Sequence, residues 1–287
     1  MFSKSSWQHL RIPFSFFLMP VYLFALAISE NVNITYALLV FISLHIFLYP
    51  ASNGYNSYFD RDEKSIGGLK NPPKVKKGLY YLTLLFDVIA LLIGCFNWGF
   101  MALLFIYGLV SKAYSHPSIR IKKYPYGSWF IIGLFQGAFT FFMAYIGINN
   151  VDFSSILSLE IITPAFLTSL MLWGSYPMTQ IYQHEEDRRR GDITLSIKLG
   201  IRGTFYFTMT MFTIASLCFA WYFTSFYDLQ MAFIYLLSMS PVVLFFFYWL
   251  NKVVKATTNA NFDNTMRLNA ISAFCLNGFF IYLFLSH

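Results

Sequence analysis

The chain of 287 residues is 57% hydrophobic and only 11% charged, with a formal net charge of +7. Soluble domains carry about 25% charged residues, so these proportions exclude an ordinary soluble fold and point to an all-α integral membrane protein. The basic excess needs no nucleic-acid partner, because positive-inside bias and attraction to anionic headgroups or diphosphate account for it.

Uncharged runs long enough to cross about 30 Å of hydrocarbon recur along the sequence. Nine spans are predicted, over about 12–29, 34–56, 79–96, 99–114, 127–148, 160–183, 203–224, 230–250 and 266–285. The first opens on Arg11-Ile12-Pro13 and holds Pro20, which a buried helix tolerates with a kink. Asn97-Trp98-Gly99 is the tight turn between spans three and four. No linker divides the chain, so residues 1–287 read as one membrane domain. The polar start lacks a small-residue cleavage pattern, and no cleavable signal peptide is expected. Cys95, Cys218 and Cys275 all lie inside apolar segments. They read as small apolar fillers rather than a zinc site or disulfide framework.

All 20 Lys and Arg fall into one alternating set of segments: Lys4 and Arg11, Arg61 to Lys77, Lys112 to Lys123, Arg188 to Arg202, and Lys252 to Arg267. The opposite connections hold only acids, such as Glu30, Asp152 and Asp228. The positive-inside rule places the N-terminus in the cytoplasm and the C-terminus on the far side. The same alternation requires an odd number of spans. The compact chain points to a bacterial inner membrane.

Two polar stretches stand out. Asn56 and Asp60 end the second span, and Gln183 and Asp187 end the sixth. On a helix, i and i+4 share a face, so each pair can aim oxygen atoms at one point. Hard cations such as Mg²⁺ take oxygen ligands and bridge carboxylates to substrate phosphates. Two helix ends meeting on such ions can hold a diphosphate and stabilise it as a leaving group. Lys70, on the Gly- and Pro-rich loop Gly67 to Pro72, and Arg120 and Lys122, after Tyr114-Ser115-His116-Pro117, are the basic candidates for phosphate contact. The plainer alternatives are solvated helix ends and positive-inside anchors. Spans two and six also form a faint internal echo, each ending in a polar i,i+4 pair before a basic loop.

NxxxD after an apolar helix, followed by a Gly/Pro loop, is similar to the first Asp-rich motif of the UbiA superfamily of membrane prenyltransferases. The segment Tyr114 to Lys122, YSHPSIRIK, resembles the stretch after that family's fourth helix. Asp187 to Gly191, with Thr194 to Gly200, resembles its second motif and DxxxGxxTLxxxLG tail. The resemblance implies a nine-helix bundle. It implies Mg²⁺ held by Asn56, Asp60, Gln183 and Asp187, and a prenyl diphosphate whose chain passes to an aromatic or lipid-like acceptor. Asp60, Asp187 and Tyr114 would be catalytic, with Tyr114 bonded to the leaving group, and Lys64, Lys70, Arg120 and Lys122 would bind the diphosphate. Aromatic faces would stabilise the allylic cation. Membrane lipids are the only other partner implied, with no obligate protein partner. The sequence departs from the pattern twice. Lys64 and Gln183 stand where the family has carboxylates. Asp62, Glu63, Glu186 or Asp192 can substitute, or Lys64 can contact the diphosphate itself, or prenyl transfer has been lost.

Three further polar residues lie in apolar surroundings. Asp87 reads as a buried hydrogen-bonder to a neighbouring helix. His45 reads as an interhelical hydrogen-bonder, and Gln136 is expected to face the tunnel, open to lipid, that the resemblance implies. The rival to catalysis is a non-catalytic lipid-binding or transport protein on the same scaffold. Haem handling or ion translocation would need paired histidines or a chain of buried acids, and only His45 and Asp87 come close.

Overall fold

The computed structural model describes residues 2–30 and 32–286. The chain is helical almost throughout, and helices cover every predicted span. A short helix α1 (Lys4–Leu10), capped by the Ser3 side chain, ends at Arg11 in the left-handed region. A 3₁₀ turn over Ile12–Leu18 leads into α2 (Met19–Ala27). α3 (Ile34–Asp60) starts on Asn33, whose side chain accepts from the Thr35 and Tyr36 N–H groups. Its middle widens into a π-helix over Ile42–Leu48, just before Pro50. Proline lacks an N–H and crowds the carbonyl four residues back, and the π-bulge absorbs both defects.

α4 (Gly78–Gly94) and α5 (Trp98–Ser115) form a tight hairpin through Asn97, which caps α5 by accepting from the Phe100 N–H at 2.8 Å. α6 (Pro125–Asn149) carries a second π segment over Phe135–Phe139. A Cβ on Gly137 would lie 2.5 Å from the Ser169 Cα, so only glycine permits this approach to α7 (Leu159–Gln180). Ser169 Oγ accepts from the freed Ala138 N–H at 2.9 Å. A short α8 (His184–Arg190) stops at Gly191 with φ +77°. α9 (Leu195–Phe226) is broken at Gly200, where φ is +70°. α10 (Leu229–Lys255), interrupted at Met239 before Pro241, and α11 (Phe262–Ser286) close the bundle.

Six of these tracts are long and apolar enough to cross a membrane. They are Lys4–Ala27, α3, α6, α9, α10 and α11. The other three fall short for physical reasons. α4 has only 17 residues. α5 ends in polar Ser111, Lys112 and Ser115, and α7 carries two prolines and the polar residues Ser175, Thr179 and Gln180. α5 and α7 also contribute to the polar cavity described next, through Tyr114 on the first and Tyr176, Thr179 and Gln180 on the second.

The core is aromatic. Phe24 on α2 stacks on Phe280 of α11 at 4.4 Å, and Phe141, Phe219 and Phe223 surround it. His45 packs among the rings of Tyr22, Phe41 and Tyr49, and neither of its nitrogens finds a hydrogen-bond partner of ordinary geometry. Ring packing holds it, with the Ser15 backbone as its polar neighbour. Asp87 on α4 pairs with Lys112 on α5, whose ammonium also lies over the Tyr55 ring at 5.3 Å. Lys112 belongs to a helix and a buried ion pair rather than to the connecting loop.

Candidate active site

The last turns of α3 and the whole of α8 converge where the loops over 61–77 and 116–124 also meet. α3 brings Asn56 and Asp60, and the Asn56 Nδ2 donates to Ser115 Oγ of α5 at 2.9 Å. Arg61 caps α3 in the left-handed region, which turns the chain so that Asp62 follows Asp60 into the same space. α7 unwinds after Gln180. Gln183 is thus the N-cap of α8 rather than the last turn of the apolar helix, and its carbonyl accepts from the Asp187 N–H at 3.0 Å. The i,i+4 spacing survives, while the helix that carries it is a separate one.

Four carboxylates meet here. Asp60 accepts from Lys122 and lies 3.8 Å from Arg120. Asp62 accepts from Arg190, which also donates to Asp187 at 2.9 Å. Asp192, only 1% exposed, receives a two-pronged bond from Arg120, with Nε at 2.8 Å and Nη2 at 2.9 Å. Lys122 reaches the same carboxylate at 3.3 Å. Fork-to-carboxylate pairs of this kind are the strong, oriented ones. Burial pushes the Asp187 carboxyl up to about 6, against the pull of Arg190 and Lys122. Burial lowers the Arg190 guanidinium, and Asp62 and Asp60 more than reverse it, leaving it raised.

Of the residues singled out in the sequence, Asn56, Asp60, Gln183, Asp187, Tyr114 and Lys122 all line one cavity of about 190 Å³. Arg120 holds two of its carboxylates from the edge. Lys64 and Lys70 lie elsewhere. Lys64 is exposed and paired with Glu185 at 2.5 Å, and Lys70 is exposed and paired with Asp263 at 2.7 Å. Among the four substitute acids, Asp62 and Asp192 face the cavity. Glu186 instead accepts from the backbone N–H groups of Glu63 and Lys64, at 2.8 and 3.1 Å, and clamps that loop. The Gln183 amide adds to the clamp by donating to the Ser65 carbonyl at 3.2 Å.

Arg190, Arg11, Tyr176 and Gln180 are among the lining residues that escaped the sequence reading. Arg190 was one of a run of three arginines, and only its i,i+3 spacing from Asp187 hinted at a role. Arg11 donates to the Gly67 and Asn53 carbonyls at 2.9 and 3.1 Å and reaches the cavity from the N-terminal side. Tyr176 shares a hydrogen bond with Tyr114 and accepts from Gln180 Nε2 at 2.9 Å. Gln180 Oε1 is buried and has no hydrogen-bond partner among the described residues. The polar cavity adjoins two less polar ones. One of about 270 Å³ shares Gln136, Tyr176 and Thr179 with it, and one of about 130 Å³ shares Asn56, Tyr114 and Gln136. The π segment of α6 thus turns Gln136 to the point where all three meet.

The donor set is all oxygen, as a hard divalent cation requires, and the orphaned Gln180 Oε1 is a further acceptor in want of a partner. Among the described residues, no group of three or more His, Cys, Asp and Glu stands together to hold a metal ion. Each carboxylate is met instead by an ammonium or guanidinium group. The residues fit Mg²⁺ in chemistry, with protein cations paired to those carboxylates here.

The sequence matches the profile of the UbiA prenyltransferase family over residues 17–271. No curated protein sequence matches it. Among solved structures, an apo UbiA homologue from Aeropyrum pernix K1 superposes with a TM-score of 0.70 at 17% identity, covering 96% of this chain and 98% of that one. A UbiA homologue from Archaeoglobus fulgidus, bound to GPP and Mg²⁺, gives 0.67 at 16% identity, covering 98% and 100%. A digeranylgeranylglyceryl phosphate synthase structure gives 0.63 at 20% identity, covering 98% of each. These identities speak to a shared fold, and with the profile match they show that the chain is a member of the UbiA prenyltransferase family.

Proposed function

We propose that the protein transfers an isoprenyl group from a prenyl diphosphate to an aromatic or lipid-like acceptor, with Mg²⁺ as its cofactor. The observation that carries this reading is the buried cavity in which Asp60, Asp62, Asp187 and Asp192 face Arg120, Lys122 and Arg190 beside an apolar pocket. The A. fulgidus homologue binds GPP with Mg²⁺, which suits the same assignment. Bound Mg²⁺ would supply positive charge against the diphosphate as it leaves. Asn56, Asp60, Gln183 and Asp187 would hold the metal, and Asp62 and Asp192 would replace the carboxylates absent at 64 and 183. Lys122 and Arg120 would neutralise phosphate oxygens, and Tyr114 would donate to the leaving group. Lys64 and Lys70 would serve from the rim, if the loop over 61–77 closes further.

In the reaction the bond from prenyl carbon to diphosphate oxygen breaks, and its electron pair leaves with pyrophosphate. The acceptor supplies the electron pair of the new bond and releases a proton. The apolar cavity of about 270 Å³ would take the prenyl chain and exclude water from the cation. The chain would cross the membrane nine times, with the cavity and N-terminus cytoplasmic and the C-terminus on the far side of a bacterial inner membrane. The segregation of Lys and Arg to alternate connections and the helix ends beside them supports that orientation.

The test is pyrophosphate release from purified protein in detergent, given allylic prenyl diphosphates, Mg²⁺ and an aromatic acceptor pool. Release that falls at least about 10²-fold in Asp60→Asn and Asp187→Asn is the expected result. Binding of prenyl diphosphate that ignores Mg²⁺, with no release, would favour a non-catalytic lipid-binding protein.

A further inference from the structure

Every buried carboxylate of the cavity is already neutralised from within the chain. Lys122 bonds Asp60 and sits 3.3 Å from Asp192. Arg190 bridges Asp62 and Asp187, and Arg120 grips Asp192 with two nitrogens. Lys122 and Asp60 have side chains only 7% and 5% exposed, so little water screens the pair. A divalent cation arriving alone would have to displace these protein cations and leave them unpaired in a low-dielectric site, which is costly. A diphosphate arriving alone would meet carboxylates beside Lys122, Arg120 and Arg190, and of the described cations at the cavity only Arg11, bonded to backbone carbonyls, has no carboxylate in contact. Together the two ligands let all charges change partners: the carboxylates turn to the metal, and the freed ammonium and guanidinium groups turn to the phosphate oxygens.

We propose that Lys122 and Arg190 are internal counter-cations that hold the site closed to metal alone, so that divalent metal and diphosphate bind with strong mutual dependence. The proposal rests on the prenyl-diphosphate reading above and adds a property that reading does not require. A lysine that merely binds phosphate would weaken the diphosphate when removed and leave metal affinity unchanged. A counter-cation gives opposite signs. Its removal leaves Asp60 buried with only Arg120, 3.8 Å away, to offset its charge, which strengthens metal binding, and it weakens the diphosphate.

The experiment uses the full chain in detergent, with Mg²⁺ and inorganic pyrophosphate as probes and the thermal unfolding midpoint as the readout of binding. Wild type is expected to show half-saturation by Mg²⁺ at least tenfold lower with pyrophosphate present than without. Lys122→Gln is expected to bind Mg²⁺ alone at least fivefold more tightly than wild type, to bind pyrophosphate more weakly and to lose most of the coupling. Lys122→Arg, which keeps the charge, should restore the wild-type pattern. Arg190→Gln repeats the test on Asp62 and Asp187, should Lys122→Gln fail to fold. Equal Mg²⁺ affinity with and without pyrophosphate in wild type, or unchanged Mg²⁺ affinity in the Gln variants, overturns the counter-cation role and leaves the diphosphate reading intact. No stabilisation of wild type by both probes together overturns the diphosphate reading, and this proposal with it.

Discussion

Tyr114 shows how far a single side chain can be argued. Its hydroxyl bonds that of Tyr176 at the edge of the polar cavity, and Tyr176 has Gln180 as a second partner. Phenylalanine at 114 keeps the ring packing and removes one donor. If the hydroxyl turns to the leaving group, its loss should cost about 1–1.5 kcal/mol, which is roughly a tenfold drop in kcat, with the unfolding midpoint within a few degrees of wild type. Steady-state pyrophosphate release would measure it, and an unchanged kcat would remove Tyr114 from the chemistry. At this scale the sequence was legible where the logic was local. Asn56 with Asp60 and Gln183 with Asp187 follow from helical spacing alone. Lys122 meets Asp60 across 62 residues and Arg190 meets Asp62 across 128, and no local pattern encodes such distances. Lys64 and Lys70 meet their partners across the chain as well. Their place near the motif in sequence said nothing of Glu185 and Asp263, the acids with which they pair.

The same limit recurs between helices. Asp87 stood out in the sequence as an acid in an apolar segment, but its partner Lys112 read as a loop anchor. The hairpin of α4 and α5 brings the two together, with both side chains under 20% exposed. Breaking a buried pair strands the remaining charge, at a cost of about 3–5 kcal/mol. Asp87→Asn should therefore destabilise strongly, whereas Asp87→Leu combined with Lys112→Met should return most of the loss. Thermal unfolding of the two variants would separate the cases. Equal stability of Asp87→Asn and wild type would show that the pair contributes little. The pair also positions the site, because Lys112 lies over Tyr55, the neighbour of Asn56, while Asn56 itself bonds Ser115 of α5. The π segments were not legible either. Pro50 lies beside one of them, and Gly137 gives the other only through its contact with Ser169, a residue of another helix.

For the molecule as a whole, hydropathy and charge placement carried most of the information. Helices cover every predicted span, although α4, α5 and α7 lack the length or apolarity that the other tracts have. The polar end of α7, with Thr179 and Gln180, lines the cavity, so for that helix a weak signal as a span and a place in the site have one cause. The distribution of basic residues then makes a prediction that neither the fold nor the cavity can make alone. If the 61–77 loop is cytoplasmic, Lys76 and Asp152 lie on opposite sides of the membrane, and both are exposed. With Cys95, Cys218 and Cys275 replaced by alanine, Lys76→Cys should react with a membrane-impermeant maleimide only in inside-out vesicles. Asp152→Cys should react only in right-side-out vesicles. Labelling of both from one side would break the alternation on which the odd number of crossings depends. Labelling of each from the opposite side to that expected would keep the crossings and invert the protein, which would put the cavity out of reach of a cytoplasmic prenyl diphosphate.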